Sequence, residues 1–196
     1  MLILDNVQDL GSGLWYLPQV FDQQTYKEVK RCYRETFTKW QCLYPNRLMS
    51  VPNNQDYGYL LDVALDVNMA LGELVGLSLE PINQEIFVDL PGHQLSWHFD
   101  SDNYDILLQL YCGDVPQPNM GTHWYLGDRN PELLEKYGTN AIVPVIGLET
   151  YETKYGPNAG YVNKNTTGFK KAHGTRKVLP GLSRESVLFT FRAKRG

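Results

Sequence analysis

Four histidines occur in this sequence of 196 residues, and one of them, His98, lies two positions before an aspartate, a spacing that could bind a metal ion. Residues 95–100 are predicted to form a strand that contains His98 and Asp100, two positions apart. Because alternate residues of a strand point to the same face, both side chains could reach one ion. The His-x-Asp pattern also arises by chance, and a surface pair on an edge strand is the alternative interpretation.

Three more residues strengthen the metal interpretation. His173 lies in a second predicted strand, residues 169–177, and two histidines with one carboxylate make the facial triad that binds non-haem Fe(II). The following predicted strand contains Arg184 and Ser186, which share a face for the same reason of spacing. A guanidinium group beside a hydroxyl is a good receptor for a carboxylate. The sequence therefore combines a candidate metal site with a candidate anion site.

Two helices and a series of short strands must position these residues. Apolar side chains recur with helical spacing in two segments, which predicts helices near residues 22–40 and 57–75. The first helix presents Tyr26, Val29, Tyr33, Phe37 and Trp40, and Asp22 is suited to cap it. Strand patterns bounded by turn residues then predict eight strands and one short helix at 131–137. The strands are predicted at residues 82–90, 95–100, 105–112, 122–126, 141–146, 160–163, 169–177 and 185–192.

This order of elements predicts a mainly β fold with flanking helices. Eight short strands after two helices are typical of a jelly roll, also called a double-stranded β-helix, as in the cupins. The length fits a single domain of residues 1–196, with a helical support region at 1–80 and a jelly-roll core at 81–196. A loop rich in proline and asparagine is expected at residues 44–54.

Composition excludes several classes of protein. The sequence has three cysteines and no Cys-x-x-Cys motif, which disfavours a disulfide scaffold and a zinc ribbon. It has no apolar run long enough for a membrane helix and no signal-peptide pattern, so a cytoplasmic location without a membrane partner is expected.

Charge is divided unevenly along the chain. Residues 1–152 contain eight basic and 21 acidic side chains, whereas residues 153–196 contain ten basic and one acidic. The basic quarter suggests either an anion site or simple packing beside acidic neighbours. With a sequence pI of about 5.5, a nucleic-acid partner is disfavoured but stays open.

The region from residue 82 to residue 192 resembles the Fe(II)/2-oxoglutarate-dependent dioxygenases, especially the prolyl-hydroxylase-like branch. The resemblance rests on Trp97-His-Phe-Asp100, His173-Gly174 and Arg184-Glu-Ser186, with supporting segments at 89–92, 106–111, 121–124 and 157–158. It implies that His98, Asp100 and His173 bind Fe(II) and that Arg184 and Ser186 bind the distal carboxylate of 2-oxoglutarate. It also implies oxidative decarboxylation of 2-oxoglutarate to succinate and CO₂, coupled to hydroxylation of a substrate by O₂.

The sequence departs from the family pattern at one point. Many members of that branch have a tyrosine nine or ten residues before the first metal histidine, where this chain has Val88 and Asp89. Tyr111 is expected to supply the phenol instead, and ordinary core packing is the alternative for that residue. The N-terminal eighty residues match no recognised pattern.

Other candidate pocket residues and other functions stay open. His93 is expected at the rim of the site, and a pocket border formed by Trp97, His123, Trp124 and Arg129 is possible. The substrate could be a peptidyl or amino-acid side chain, or a small metabolite. Two other functions fit the same ligands: a cupin-like isomerase or hydrolase that uses zinc or manganese, and a jelly-roll binding module without catalysis.

Overall fold

A computed structural model of the protein describes residues 1–35, 41–50, 58–145 and 147–194. Three helices are present in these ranges: α1 (Gln23–Glu35), α2 (Gly58–Val75) and α3 (Asn130–Tyr137). The strands are β1 (Gln8–Asp9), β2 (Leu14–Leu17), β3 (Gln41–Tyr44), β4 (Arg47–Ser50), β5 (Leu79–Asp89), β6 (Ile106–Tyr111), β7 (Thr122–Tyr125), β8 (Thr150–Glu152), β9 (Gly160–Lys164), β10 (His173–Thr175) and β11 (Arg184–Ala193).

The strands form two antiparallel sheets. The large sheet has the order β1-β2-β9-β6-β11-β5-β4-β3, and the small sheet has the order β10-β7-β8. Side chains of both sheets meet in one core cluster, which includes Tyr111 and Tyr161 of the large sheet and Trp124 of the small sheet. The predicted fold class, a jelly roll with flanking helices, is confirmed.

The two N-terminal helices cover one face of the large sheet. Asp22 caps α1, because its Oδ1 accepts a hydrogen bond from the backbone N–H of Thr25 at 2.9 Å. The apolar faces of both helices pack against the sheet residues Ile86, Val187 and Phe189. Most of the helix periodicity in the sequence is thus explained by burial, although Phe37 and Trp40 lie outside the described residues.

Strand alternation gives the large sheet a second, polar face. Along β5, Ile86 and Val88 point to the helices, whereas Glu85 and Phe87 point to a cavity between the two sheets. Burial on one face and a cavity on the other therefore follow from the period of two in the sequence.

Several predicted strands differ from the structure. Residues 169–177 contribute only the three residues of β10, and residues 141–145 form no strand within the described chain. In the loop expected at residues 44–54, residues 47–50 instead form β4, which pairs with both β3 and β5, and residues 51–54 lie outside the described residues. Residues 1–80 therefore supply strands to the large sheet in addition to α1 and α2. No helix in the described ranges is long and apolar enough to cross a membrane.

Candidate metal centre

His98 and His173 are joined through their backbones. The N–H of each residue donates to the carbonyl of the other at 2.9 Å, which forms an isolated antiparallel bridge. The two imidazole rings lie 4.5 Å apart between centroids. Residues distant in sequence are thus fixed side by side by main-chain hydrogen bonds rather than by their side chains.

The segment before His98 is irregular, which corrects the predicted strand at residues 95–100. Leu95 and Thr175 are joined by one backbone hydrogen bond of 2.9 Å, and the next pairing is His98 with His173. The three steps from Leu95 to His98 are therefore opposite only two steps from Thr175 to His173, as in a β-bulge. Gly174 lies opposite the extra residue, and a Cβ there would lie 2.8 Å from the carbonyl oxygen of Leu95.

Asp100 completes a compact group of three ligands. Its two carboxylate oxygens lie 3.5 Å from the Nε2 atoms of His98 and His173, respectively. The three candidate ligand atoms all lie within 4.8 Å of one another. The structure thus brings together the three residues that the sequence predicted as a metal site.

Both imidazoles have their Nε2 atoms free for an ion. The Nδ1 of His98 lies 2.8 Å from the carbonyl oxygen of Ser96, and that of His173 lies 3.1 Å from the carbonyl oxygen of Lys171. A carbonyl can only accept, so each Nδ1 carries a proton, and the lone pair that each ring offers to a metal ion is that of Nε2. Asp100 Oδ2 is buried and has no hydrogen-bond partner among the described residues. These residues fit a divalent cation.

The electrostatics of the group agree with this interpretation. Burial alone would raise the pKa of Asp100, but the electrostatic interaction with His173 and His98 holds it well below its ordinary value. Burial alone would lower the pKa of His173, but Asp100 reverses that effect and raises it. The carboxylate is therefore ionised, as metal binding requires.

Buried neighbours hold the ligands in place. The Trp124 ring stacks on His173 with centroids 4.5 Å apart. The Lys170 ammonium donates to the carbonyl of Asp100 at 2.8 Å and to Asn165 Oδ1 at 3.1 Å. Tyr104 lines the cavity near Asp100, and burial together with that carboxylate raises the pKa of its phenol well above the ordinary value. The tyrosine is therefore neutral.

A cavity of about 790 Å³ opens in front of the three ligands. His98, Asp100 and His173 line it from one side, and residues of β5, β6 and β11 line it from the other. The volume falls within the usual range for small-molecule sites. The cavity has room for more than one small ligand.

The predicted anion site lies in the same cavity. Arg184 and Ser186 both line it, and their side chains are buried. Sequence reasoning missed the carboxylate of Asp89, which accepts from Arg184 Nε at 2.8 Å and from Arg184 Nη2 at 2.5 Å. Thr175 Oγ1 also accepts from Nη2, at 2.9 Å. Arg184 Nη1 is left buried without a partner among the described residues.

Tyr111 does not line the cavity. It is fully buried, and its hydroxyl lies 2.8 Å from Thr153 Oγ1 and 3.2 Å from Thr122 Oγ1. Thr122 does line the cavity, so the phenol is one residue removed from it.

The other predicted pocket residues lie elsewhere. Trp124 is wholly buried behind His173, and His123 faces the other side of β7, where its Nε2 lies 3.4 Å from Glu152. Trp97 packs edge-on against His123, and Arg129 is exposed beside Glu132. Of the two interpretations left open for His123 and Trp124, the structure favours core packing, because alternation on β7 turns Trp124 into the core and His123 to the opposite face. His93 lies at the cavity wall, where the sequence predicted a rim residue.

Solved structures share this architecture. A prolyl-4-hydroxylase of Pseudomonas putida superposes with a TM-score of 0.65 over 93% of this chain and 94% of its own, at 14% identity. An oxidoreductase of the 2OG-Fe(II) oxygenase family from Burkholderia pseudomallei gives 0.70 over 94% and 86%, at 12% identity. The fold is that of the 2-oxoglutarate/Fe(II) oxygenases. HygX of Streptomyces hygroscopicus, solved with nickel and 2-oxoglutarate bound, gives 0.65 over 93% and 83%, at 13% identity.

Sequence comparison adds no further relatives. No protein-family model matches the chain, and no curated protein sequence matches it. At sequence identities of 10–14%, the similarity to these oxygenases is one of fold and not of sequence.

Proposed function

We propose that this protein is a non-haem Fe(II) dioxygenase that couples decarboxylation of 2-oxoglutarate to hydroxylation of an organic substrate. The observation that carries the proposal is the group of His98, Asp100 and His173, with both Nε2 atoms free and an unpartnered carboxylate oxygen. The oxygenase fold supports it, because this fold places the group at a cavity in which the cosubstrate would fit.

His98, Asp100 and His173 would hold the iron. Two neutral imidazoles and one carboxylate on one side of an ion leave its remaining positions open toward the cavity. Bound iron would supply the activation of O₂ that organic side chains cannot provide. The chain's own contribution is to fix the ligands through the Ser96 and Lys171 carbonyls and to exclude bulk water.

Arg184 and Ser186 would bind the distal carboxylate of 2-oxoglutarate. Arg184 lines the cavity, its Nη1 has no partner among the described residues, and a buried donor left unpaired is costly. A carboxylate there would satisfy it, with the Ser186 hydroxyl as a second donor. The predicted contact of Tyr111 becomes indirect in this proposal, through the Thr122 hydroxyl.

The substrate would enter beside the hairpin of β3 and β4. Pro45, Met49 and Phe87 give that side of the cavity an apolar wall, and the exposed Ile142 also lines the cavity. A peptidyl or amino-acid side chain with an unactivated C–H bond fits such a wall. The likeness to a prolyl-4-hydroxylase supports the peptidyl form of this proposal.

The decisive test joins metal and cosubstrate binding. Anaerobic protein with Fe(II) and 2-oxoglutarate should show a weak visible charge-transfer band and should release succinate when O₂ is admitted. His173→Ala should lose both, because removal of one ligand of three opens the site. His123→Ala is the matched control, since that imidazole lies on the outer side of β7, and it should retain both.

The same test separates the alternatives. A zinc or manganese isomerase, or a binding module without catalysis, would have no need of 2-oxoglutarate. Wild-type protein that binds a divalent metal but gives neither a band nor a thermal shift with 2-oxoglutarate would refute the dioxygenase proposal.

A further inference from the structure

Asp89 links two arginines at one end of the cavity. Arg47 of β4 donates to Asp89 Oδ1 from Nε at 2.5 Å and to Oδ2 from Nη2 at 3.1 Å. Arg184 of β11 donates to the same Oδ2 from two of its nitrogens. The three residues are aligned by strand register, because Asp89 pairs with Arg47 on one side and with Arg184 on the other.

Both arginines line the cavity. The side chains of Arg47 and Arg184 are 15% and 2% exposed, and both line the cavity wall. The Arg47 guanidinium carbon lies 4.7 Å from the centre of the Phe87 ring, which holds it against the sheet. Asp89 accepts hydrogen bonds from Nε and Nη2 of Arg184 but leaves Nη1 without a partner among the described residues.

The cluster carries an unbalanced positive charge. Two guanidinium groups face one carboxylate, whose pKa is held below its ordinary value by Arg47 and Arg184 against the effect of burial. His93 lies 3.4 Å from Asp89, but burial lowers the pKa of its imidazole, so it adds no charge at neutral pH. Glu85 also lines the cavity, and its carboxylate accepts a hydrogen bond from Asn83; burial raises its pKa, against the opposing effect of the Arg47 charge.

A buried net charge is unfavourable unless a counter-ion meets it. One carboxylate of a ligand would balance the charge of the hydrogen-bonded group of Arg47, Asp89 and Arg184, whereas two would leave that group with an excess negative charge. The cluster is thus matched in charge to a single carboxylate group. Asp89 prevents the two arginines from presenting a double positive charge and fixes the direction of each fork.

We propose that Arg47 is the second cationic group of the anion site, and that Asp89 is its positioning residue. The inference rests on the proposed function, in that the anion is the distal carboxylate of 2-oxoglutarate. It assigns Arg47, from the N-terminal part that matched no recognised pattern, a direct part in cosubstrate binding. The β3–β4 hairpin is then part of the binding site.

The test measures 2-oxoglutarate binding to Ni(II)-loaded protein by calorimetry, so that no turnover is required. Arg47→Gln removes one charge and leaves the pair of Asp89 and Arg184 intact. We expect the dissociation constant of this variant for 2-oxoglutarate to rise about 10- to 100-fold, with Ni(II) affinity unchanged. Arg47→Lys keeps the charge and should lose less affinity for 2-oxoglutarate than Arg47→Gln does. Arg34→Gln is the matched control, because Arg34 is exposed on α1 beside Asp114, and it should bind as wild type does.

A double variant tests the charge balance itself. Arg47→Gln with Asp89→Asn restores one net positive charge, and we expect it to recover affinity relative to Arg47→Gln alone. If Asp89 had a purely structural role, the double variant would instead bind 2-oxoglutarate more weakly than Arg47→Gln alone. If the double variant does not fold, the comparison of Arg47→Lys with Arg47→Gln decides the question.

The outcomes separate the two proposals. Wild-type protein that binds Ni(II) but not 2-oxoglutarate would overturn the proposed function and this inference together. Wild-type binding with an unchanged affinity in Arg47→Gln would overturn only the role of Arg47. Equal losses in the glutamine and lysine variants would contradict the charge argument.

Discussion

Lys170 fixes the backbone of the segment that carries Asp100, and its replacement by methionine tests how the metal site is supported. The Lys170 side chain is 5% exposed, and its ammonium reaches the Asp100 carbonyl at 2.8 Å and Asn165 Oδ1 at 3.1 Å. Its ion pair with Asp102 adds little, because that carboxylate is 80% exposed. Methionine keeps the length of the side chain but cannot donate a hydrogen bond.

The magnitude follows from the two close acceptors. Each buried acceptor left without a donor costs about 1–3 kcal/mol. Part of that cost is offset because a buried ammonium no longer has to be desolvated. We therefore expect Lys170→Met to lower the free energy of unfolding by about 2–3 kcal/mol, or roughly 4–10 °C in Tm for a protein of this size.

Metal affinity should change as well. Since the freed segment includes Asp100, we expect the dissociation constant for Ni(II) to rise on the order of 10- to 100-fold. The assays are urea unfolding of the metal-free protein and calorimetric titration with Ni(II). Lys154→Met is the control, because Lys154 is exposed. If both variants unfold and bind Ni(II) alike, the supporting role of Lys170 is refuted.

Two other predictions concern stability alone. Asp89→Asn should destabilise the protein by about 3–5 kcal/mol at pH 7, because it leaves two guanidinium groups without a carboxylate. The folded-state pKa of Asp89 lies below its ordinary value of 3.8, so the stabilisation exists above that pH and is lost as the pH falls further. The difference between variant and wild type should therefore narrow below about pH 4 in urea titrations. Gly121→Ala should cost about 3 kcal/mol, since its Cβ would lie 1.5 Å from the Thr153 carbonyl oxygen, and Gly156→Ala, with 3.8 Å to its nearest neighbour, should cost far less.

Periodicity predicted the elements whose burial is regular. Strands β5 and β11 alternate between the helix-covered face and the cavity, whereas β6 is buried on both faces and its sequence is almost wholly apolar. Helix α2 likewise shows Leu60, Val63, Val67 and Leu71 on one buried face. In these elements a single physical constraint, burial on one side, acts on every second residue or on every turn.

The segment before His98 could not be predicted in the same way. Its conformation depends on one extra residue opposite Gly174, which belongs to a strand more than seventy positions later. The conformational preferences of the segment itself do not depend on that distant partner and so could not predict the irregularity. The sequence could still group the candidate ligands, because His98 and Asp100 need only to be near one another and not on a regular strand.

The partner of Arg184 was also beyond local reasoning. Asp89 ends an apolar run, and an acidic residue at the end of a buried strand is a signal that could have been followed. Its pairing with Arg184 and Arg47 depends on the register of three strands, which no single segment encodes. Arg47 gave no signal at all, because its strand lies where a loop was expected.

The stacking of Trp124 on His173 gives the protein an optical reporter of its own. Four tryptophans occur in the sequence, and among those that the structure describes Trp124 is the one whose indole stacks on a candidate metal ligand, with ring centroids 4.5 Å apart. A paramagnetic ion bound to that imidazole would quench the indole's excited state at such short range. Occupancy of the centre would then be visible as a loss of ultraviolet emission, without any dye or label.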